Sequence, residues 1–389
     1  MVTKIILGLD EELMIMISKV GLKGFKCFGE ETQISLKPIT IMYGKNGRGK
    51  SSISQSLLLL GQSMRRSNSL DQLIVNGGYI HQGCFSELIN QDSKDRSFEV
   101  FIESDAQESV AVRFEAIEKF PEMGALVSQK VNGKETFEYM SGPDDISSTT
   151  EGGAELSSGV TSDNAILQNL KDAIYISADR NGPVNEAKYV YTRSEGVYLS
   201  PVGDNIINVI AEQGPEFIRE LEHNLAIILS GASISINFAT DKIELGLNSN
   251  SGVKTLRPIN VGFGYSYVLP VVVAAMMAKP GSFVIIENPE AHLHSGAQSR
   301  LAKFLIKKAL DNGFQLLLET HSDHVINGLR IAAKNGIIKP EESIILHFSN
   351  SENTSTPEIC EIYCDSQGNL SLFPDDFMDE WTKQLLELV

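Results

Sequence analysis

Apolar and polar positions along this chain fall into two kinds of pattern. The first is the short, nearly unbroken apolar run: Ile39-Thr40-Ile41-Met42-Tyr43, Phe283-Val284-Ile285-Ile286 and Phe314-Gln315-Leu316-Leu317-Leu318. Runs of this length, rich in branched and bulky side chains, predict strands buried on both faces of a sheet. The second is strict alternation. Ser97 to Ile102, Val110 to Phe114, Ile234 to Phe238 and Ile243 to Leu247 place apolar residues at every second position, which predicts antiparallel strands with one wet face. Ile17 to Phe28 alternates like an edge strand, and Ile34-Ser35-Leu36 leads into the first buried run. Helical stretches are expected over Ser52 to Leu60, residues 215–230 and Tyr267 to Ala278; the last contains Pro270 and is too short to span a bilayer. Residues 141–164 are polar, rich in Gly and Ser and without periodicity, which predicts a flexible loop. No stretch sustains heptads, so no long coiled coil is expected, and there is no internal repeat.

The junction between the first buried run and the helix after it carries the chemistry. Gly44-Lys45-Asn46-Gly47-Arg48-Gly49-Lys50-Ser51-Ser52 fits the phosphate-binding loop, a glycine, four residues, then Gly-Lys-Ser. Gly44, Gly47 and Gly49 let the backbone turn tightly and aim N–H groups at phosphate oxygens. Lys50 supplies a point charge to the β- and γ-phosphates, and Ser51 offers a hydroxyl to Mg2+. Strand, glycine loop and helix in that order are the context the motif requires.

Composition narrows the setting. The chain has 389 residues, 42% of them hydrophobic, enough for one large domain or two ordinary ones. No secretory signal is visible at the N-terminus, and the four cysteines (Cys27, Cys84, Cys360, Cys364) are scattered without a zinc pattern, so a reducing cytoplasm is the expected location. A net charge of −17 disfavours general polyanion binding and favours protein partners over nucleic acid, despite the local pair Arg65-Arg66.

The second buried run ends in Glu287, the shape of a Walker B strand delivering an acid at its C-terminal edge, where it holds Mg2+ directly or through water. Asn288-Pro289-Glu290-Ala291-His292-Leu293-His294 follows. The third run ends in Glu319-Thr320-His321-Ser322, and a histidine there contacts a γ-phosphate or orients the attacking water.

Taken together, the loop Gly44–Ser52, Glu-Asn-Pro-Glu-Ala-His-Leu-His (287–294) and Glu-Thr-His-Ser (319–322) resemble the RecF/SMC-type ABC ATPases. They are most similar to the compact bacterial branch that includes the ATPase part of the overcoming-lysogenisation-defect proteins. Leu22 to Phe28 is similar to the family's first strand, Tyr175 to Arg180 and the tail Asp365 to Glu380 to features of the branch. The resemblance implies an α/β fold: an ABC-type P-loop NTPase with a mixed central sheet, an antiparallel β subdomain and a helical insertion. Residues 1–16 read as an N-terminal extension and 17–389 as one ATPase domain. Within it, 17–140 form an N-terminal lobe, 141–164 the loop, 165–260 an insertion, 261–349 the lobe with signature, Walker B and His switch, and 350–389 a tail. The resemblance also implies a signature segment at Asn260 to Ser266, in which Gly264 and Ser266 at a helix N-terminus face ATP held by a second subunit. Two chains would then sandwich two ATPs, as a homodimer or higher oligomer. Gln82 stands where a Q-loop glutamine would touch the metal.

One departure stands out. Asn288 occupies the place where the family carries its catalytic glutamate, and an asparagine cannot take a proton from water. A general base is worth about 10²–10⁴-fold in rate, so either Glu290 takes over or hydrolysis is slow. The TOPRIM nuclease of the lysogenisation-defect proteins needs an Asp-x-Asp pair for metal, and none occurs after His321. The chain therefore reads as an ATPase that regulates a separate effector, a nuclease or toxin from a neighbouring gene, in anti-phage defence. The alternatives are a RecF-like DNA-repair ATPase that binds DNA and a nucleotide-binding scaffold with little hydrolysis.

Overall fold

The computed structural model describes residues 15–93, 96–138, 164–188, 198–248, 255–349 and 356–388. Residues 1–14, most of the proposed extension, and the proposed loop up to residue 163 lie outside them. Strands β1 (Ile17–Lys23) and β2 (Thr32–Ser35) precede β3 (Ile39–Gly44) and helix α1 (Lys50–Ser67). β4 (Gln72–Ile74), β5 (Ser97–Ser104), β6 (Ser109–Ala116), β7 (Met123–Val131) and β8 (Lys134–Glu138) follow. Then come α2 (Ala165–Lys171), β9 (Ile174–Ile176), β10 (Glu186–Lys188), α3 (Ile206–Glu212), α4 (Pro215–Ile228), β11 (Ser233–Phe238) and β12 (Lys242–Asn248). The last part holds α5 (Phe263–Met277), β13 (Phe283–Glu287), α6 (Ser295–Asn312), β14 (Gln315–Thr320), α7 (Asp323–Lys334), β15 (Ser343–Ser349), β16 (Glu358–Ile362) and α8 (Glu380–Glu387).

The three apolar runs become β3, β13 and β14 of a six-stranded sheet, ordered β16-β15-β3-β14-β13-β9. All its neighbours are parallel except the edge strand β16. Successive residues of each run feed opposite faces, as the two-residue period of a strand demands. Val284, Ile286, Leu316 and Leu318 enter one core with α5, α6 and α7, while Phe283, Ile285 and Leu317 enter a second with α1 and the antiparallel strands. Because both faces are covered, neither can be polar, and that is why these strands read as unbroken apolar runs.

The alternating segments 97–102 and 110–114 become β5 and β6 of an antiparallel sheet ordered β2-β1-β5-β6-β7-β4, with β8 added to β7, while Ile234 to Phe238 and Ile243 to Leu247 become β11 and β12 of another. β1 differs from its edge-strand expectation: it is hydrogen-bonded to β2 on one side and β5 on the other. Its wet face, not an unpaired edge, produces the alternation. After it, Phe25 and Phe28 bridge each other and close a tight turn that carries Lys26 at φ +48° and Cys27.

The stretch from 165 to 260 is not wholly an insertion. β9 pairs with β13 in parallel and completes the central sheet, whereas β10, β12 and β11 make a small sheet of their own. The C-terminal tail returns to the centre. Phe377 is fully buried, its ring edge-on to Tyr43 at 5.1 Å and to His347 at 5.4 Å. We expect Phe377→Ala to lower the unfolding free energy by about 3 kcal/mol or more, the cost of emptying a buried aromatic site, measured by urea denaturation.

Candidate functional site

The parallel register sets the site. Glu287 lies opposite Glu319, and Thr320 lies opposite Tyr43, so the C-terminal ends of β13, β14 and β3 meet under the loop that follows Gly44. In parallel sheets this carboxyl edge is where ligands bind. Two glycines fit the loop to its surroundings. Gly44 has φ +146°, and a Cβ there would stand 2.5 Å from the Phe348 carbonyl oxygen. Gly49 has φ +87°, and its Cβ would stand 2.7 Å from Cys27 Sγ.

A cavity of about 440 Å³ opens on this edge, lined by Asn46 to Ser52, Lys26, Cys27, Ala178, Glu287, Asn288, Glu319 and His321. Lys50 is 3% exposed, and its ammonium donates to the carbonyls of Gly44 at 2.7 Å and Lys45 at 2.8 Å. Burial lowers its pKa. Ser51 Oγ donates to Glu319 Oε1 at 2.8 Å. Glu287 Oε2 accepts the Ala178 N–H at 3.2 Å, and burial raises its carboxyl above the usual range. His321 titrates lower than usual, first because the protein around it partly desolvates the ring and next because Lys50 repels a second positive charge. It is therefore held toward the neutral form, which can both donate and accept a hydrogen bond. The donor set fits ATP and Mg2+. Loop N–H groups and Lys50 suit phosphate, while a hydroxyl and carboxylates are the hard oxygen ligands Mg2+ prefers. The buried, unpartnered Glu319 Oε2 calls for a cation.

Arg180, for which the sequence offered no role, braces this edge. It is 3% exposed; Nη1 donates to the Ser177 and Glu287 carbonyls at 3.0 and 2.8 Å, and Nη2 to the Asn288 carbonyl at 2.6 Å. Burial lowers its pKa to about 10. Its grip fixes Asn288 at φ +44°, a left-handed conformation that asparagine tolerates better than glutamate does.

Glu290 is not part of the cavity lining. Its Oε1 accepts from Thr320 Oγ1 at 2.7 Å and from the His321 N–H at 3.0 Å. It ties the strand end that carries His321 to the segment after β13. Gln82 departs from its expected place as a metal ligand: its amide oxygen takes the ammonium of Lys26 at 2.5 Å, outside the cavity lining. The ammonium of Lys26 also bonds Gln55. Lys45 points out of the cavity onto Asp376 of the tail at 2.9 Å. Asp376 is shared with Lys383, and these two partners pull its pKa down to about 2.

The segment expected to form the signature sits elsewhere. Gly262, Phe263, Gly264, Tyr265, His292 and Arg300 line a second cavity of about 520 Å³, which shares no residue with the first. Gly264 needs its missing side chain, since a Cβ would stand 2.6 Å from the His292 carbonyl oxygen. Ser266 does not reach this cavity; its hydroxyl is buried without a partner.

Residues 39–327 match the family model described as "AAA domain, putative AbiEii toxin, Type IV TA system". The chain belongs to this family. Residues 338–388 match a second model, described as "Protein of unknown function (DUF3696)". No curated protein matches the sequence. In three dimensions the chain is similar to an SMC head bound to the C-winged helix domain of ScpA, at 17% identity and a TM-score of 0.50, over 89% of this chain and 97% of that one. It is also similar to an SMC head with an extended coiled coil bound to the C-terminal domain of ScpA, from Pyrococcus furiosus. There the identity is 16% and the TM-score 0.50, over 96% and 99% of the two chains. The fold is therefore that of an SMC-like, ABC-type P-loop ATPase. Among the described residues no helix is long and apolar enough to cross a membrane.

Sequence reasoning missed Lys26, Cys27, Ala178 and Glu319 as cavity residues. For Glu319 a signal existed: like Glu287, it is an acid at the end of a buried apolar run. Burial first and the charge of Glu287 second raise its carboxyl to about 7. The folded chain then holds a proton that the unfolded chain has released, so stability falls as pH rises from the ordinary glutamate range through about 7. We expect ligand-free Glu319→Gln to melt above wild type at about pH 8, with the gap closing toward about pH 5, as read by thermal unfolding.

Proposed function

We propose that this chain is a nucleotide-driven switch. It binds ATP with Mg2+, hydrolyses it slowly, and dimerises to control a separate effector, a nuclease or toxin, in bacterial anti-phage defence. The observation that supports the dimer is that the glycines expected to form the signature line a cavity sharing no residue with the one at the phosphate loop of their own chain. A second copy turned head to tail would bring Gly262–Tyr265 of each protomer over the loop of the other, and the N-terminus of α5 would face the γ-phosphate. The defence role is supported by the toxin–antitoxin description of the family and by the acidic surface, which suits a protein partner better than DNA.

The residues divide the work. Loop N–H groups and Lys50 hold the phosphates, and His321 meets the γ-phosphate. Mg2+, when bound, neutralises phosphate charge and is held at the Ser51 hydroxyl and the acidic strand ends, by Glu287 directly or through water. Asn288 can orient a water and cannot deprotonate it. Glu290 is a positioning residue, because its reachable oxygen already serves Thr320 and the His321 backbone.

Three outcomes test this reading. Lys50→Ala should abolish ATP binding in a calorimetric titration. Glu290→Gln keeps a carbonyl acceptor for both donors, so phosphate release should drop far less than the about 10²–10⁴-fold a lost general base costs; a drop of that size would make Glu290 the base. Wild type with ATP and Mg2+ should sediment as a dimer or larger and co-purify with the product of the neighbouring gene. A lone monomer under those conditions would refute the switch.

A further inference from the structure

In P-loop sites the serine after the lysine meets the nucleotide-bound cation, and the acid of the Walker B strand stands opposite it. Here the carboxylate on Ser51 is a different one. Ser51 Oγ donates to Glu319 Oε1 at 2.8 Å, from the end of β14. Glu287, on β13, lines the same cavity but is already engaged: its Oε2 accepts the Ala178 N–H, and the Tyr175 hydroxyl bonds the same carboxylate.

Glu319 is 6% exposed and lines the phosphate cavity, and its Oε2 is buried with no partner. The nearby fixed cation does not satisfy that oxygen, because Lys50 turns its ammonium to the Gly44 and Lys45 carbonyls. An acceptor for the Ser51 hydroxyl alone would not need a charge, and a glutamine would serve without burying one. A buried carboxylate oxygen with no donor persists where a cation meets it in the working state.

We propose that Glu319, together with Ser51, directly holds the divalent cation of the bound nucleotide, and that Glu287 acts on that cation from outside its coordination sphere. This rests on the reading of the cavity as an ATP site. Mg2+ takes six oxygens at short, nearly octahedral distances. One hydroxyl, one carboxylate oxygen, phosphate oxygens and water make such a set. Glu287, its neighbour in register, then orients a coordinated water and keeps its ties to Ala178 and Tyr175. The role usually given to one strand end is divided between two.

The test is the affinity of the full chain for ATP, measured calorimetrically with Mg2+ and again in EDTA, for wild type, Glu319→Gln and Glu287→Gln. Wild type should bind more tightly with Mg2+. Glu319→Gln, which removes a direct ligand, should lose that gain by more than the about 10–100-fold that losing an outer-shell partner costs, with its affinity in EDTA unchanged. Glu287→Gln should lose less. Electron paramagnetic resonance of Mn2+ with ATP gives a second readout: the bound-cation signal should weaken far more in Glu319→Gln than in Glu287→Gln. The reverse order in either measurement overturns the proposal. If Glu319→Gln does not fold, Glu319→Asp decides. It keeps the charge but shortens the reach, so Mg2+ should bind more weakly and the larger Mn2+ should be favoured; unchanged Mg2+ dependence would overturn the proposal. Absence of ATP binding by wild type even in EDTA would remove the ATP-site reading and this proposal together, whereas an unchanged Mg2+ ratio in Glu319→Gln removes this proposal alone.

Discussion

Everything at the nucleotide edge depends on one register. β13, β14 and β3 run parallel and in step, so residues far apart in the chain end their strands at the same height. A shift of one residue in β14 would turn Leu318 toward the loop and bury Glu319 among the aliphatic side chains of the core, because successive strand residues face opposite sides. The apolar character of the runs enforces the register from both faces. The chemistry at the strand ends is thus positioned by packing several residues away, and the polar groups do not have to find one another.

That positioning leaves charge and hydrogen-bonding capacity crowded in one place. Among the described residues, Arg180 Nε, Asn288 Oδ1, Glu290 Oε2 and Glu319 Oε2 are all buried without partners, and all belong to this edge. Each such atom lowers stability, and a fold selected for stability alone would replace them. Their concentration here supports the reading of this edge as the working site, as the perturbed carboxyl of Glu319 also does. Arg180 shows how the burden is contained: one guanidinium gathers three carbonyls and pins the turn that carries Asn288.

How much of this was legible beforehand follows from what each feature depends on. The loop and the three buried strands were readable because glycine spacing and apolar runs are local properties of the chain. The second strand's acid was readable for the same reason. Arg180 was not, because its partners are backbone carbonyls, which every residue has and no sequence pattern displays. Glu319 was passed over because His321, two positions on, offered a more familiar chemistry. Gln82 was misplaced because its position depends on the turn holding Lys26, a contact between segments 56 residues apart. β1 looked like an edge strand because alternation reports a wet face and says nothing about hydrogen-bonded neighbours. Asn288 was readable as a departure from the resemblance, but its left-handed backbone was not.

The ion pair between Lys45 and Asp376 joins two stretches that match separate family models. Phe377, the next residue, packs on Tyr43 at the start of the same loop. The tail and the loop therefore share one set of energy levels. By linkage, whatever free energy a change in the loop passes to the tail, a contact that holds the tail passes back to the loop with the same size and sign. α8 leaves this junction with Trp381 and Leu386 exposed to solvent, and its Lys383 shares Asp376 with Lys45, so a contact made on this helix is made on an element tied to the loop through one carboxylate.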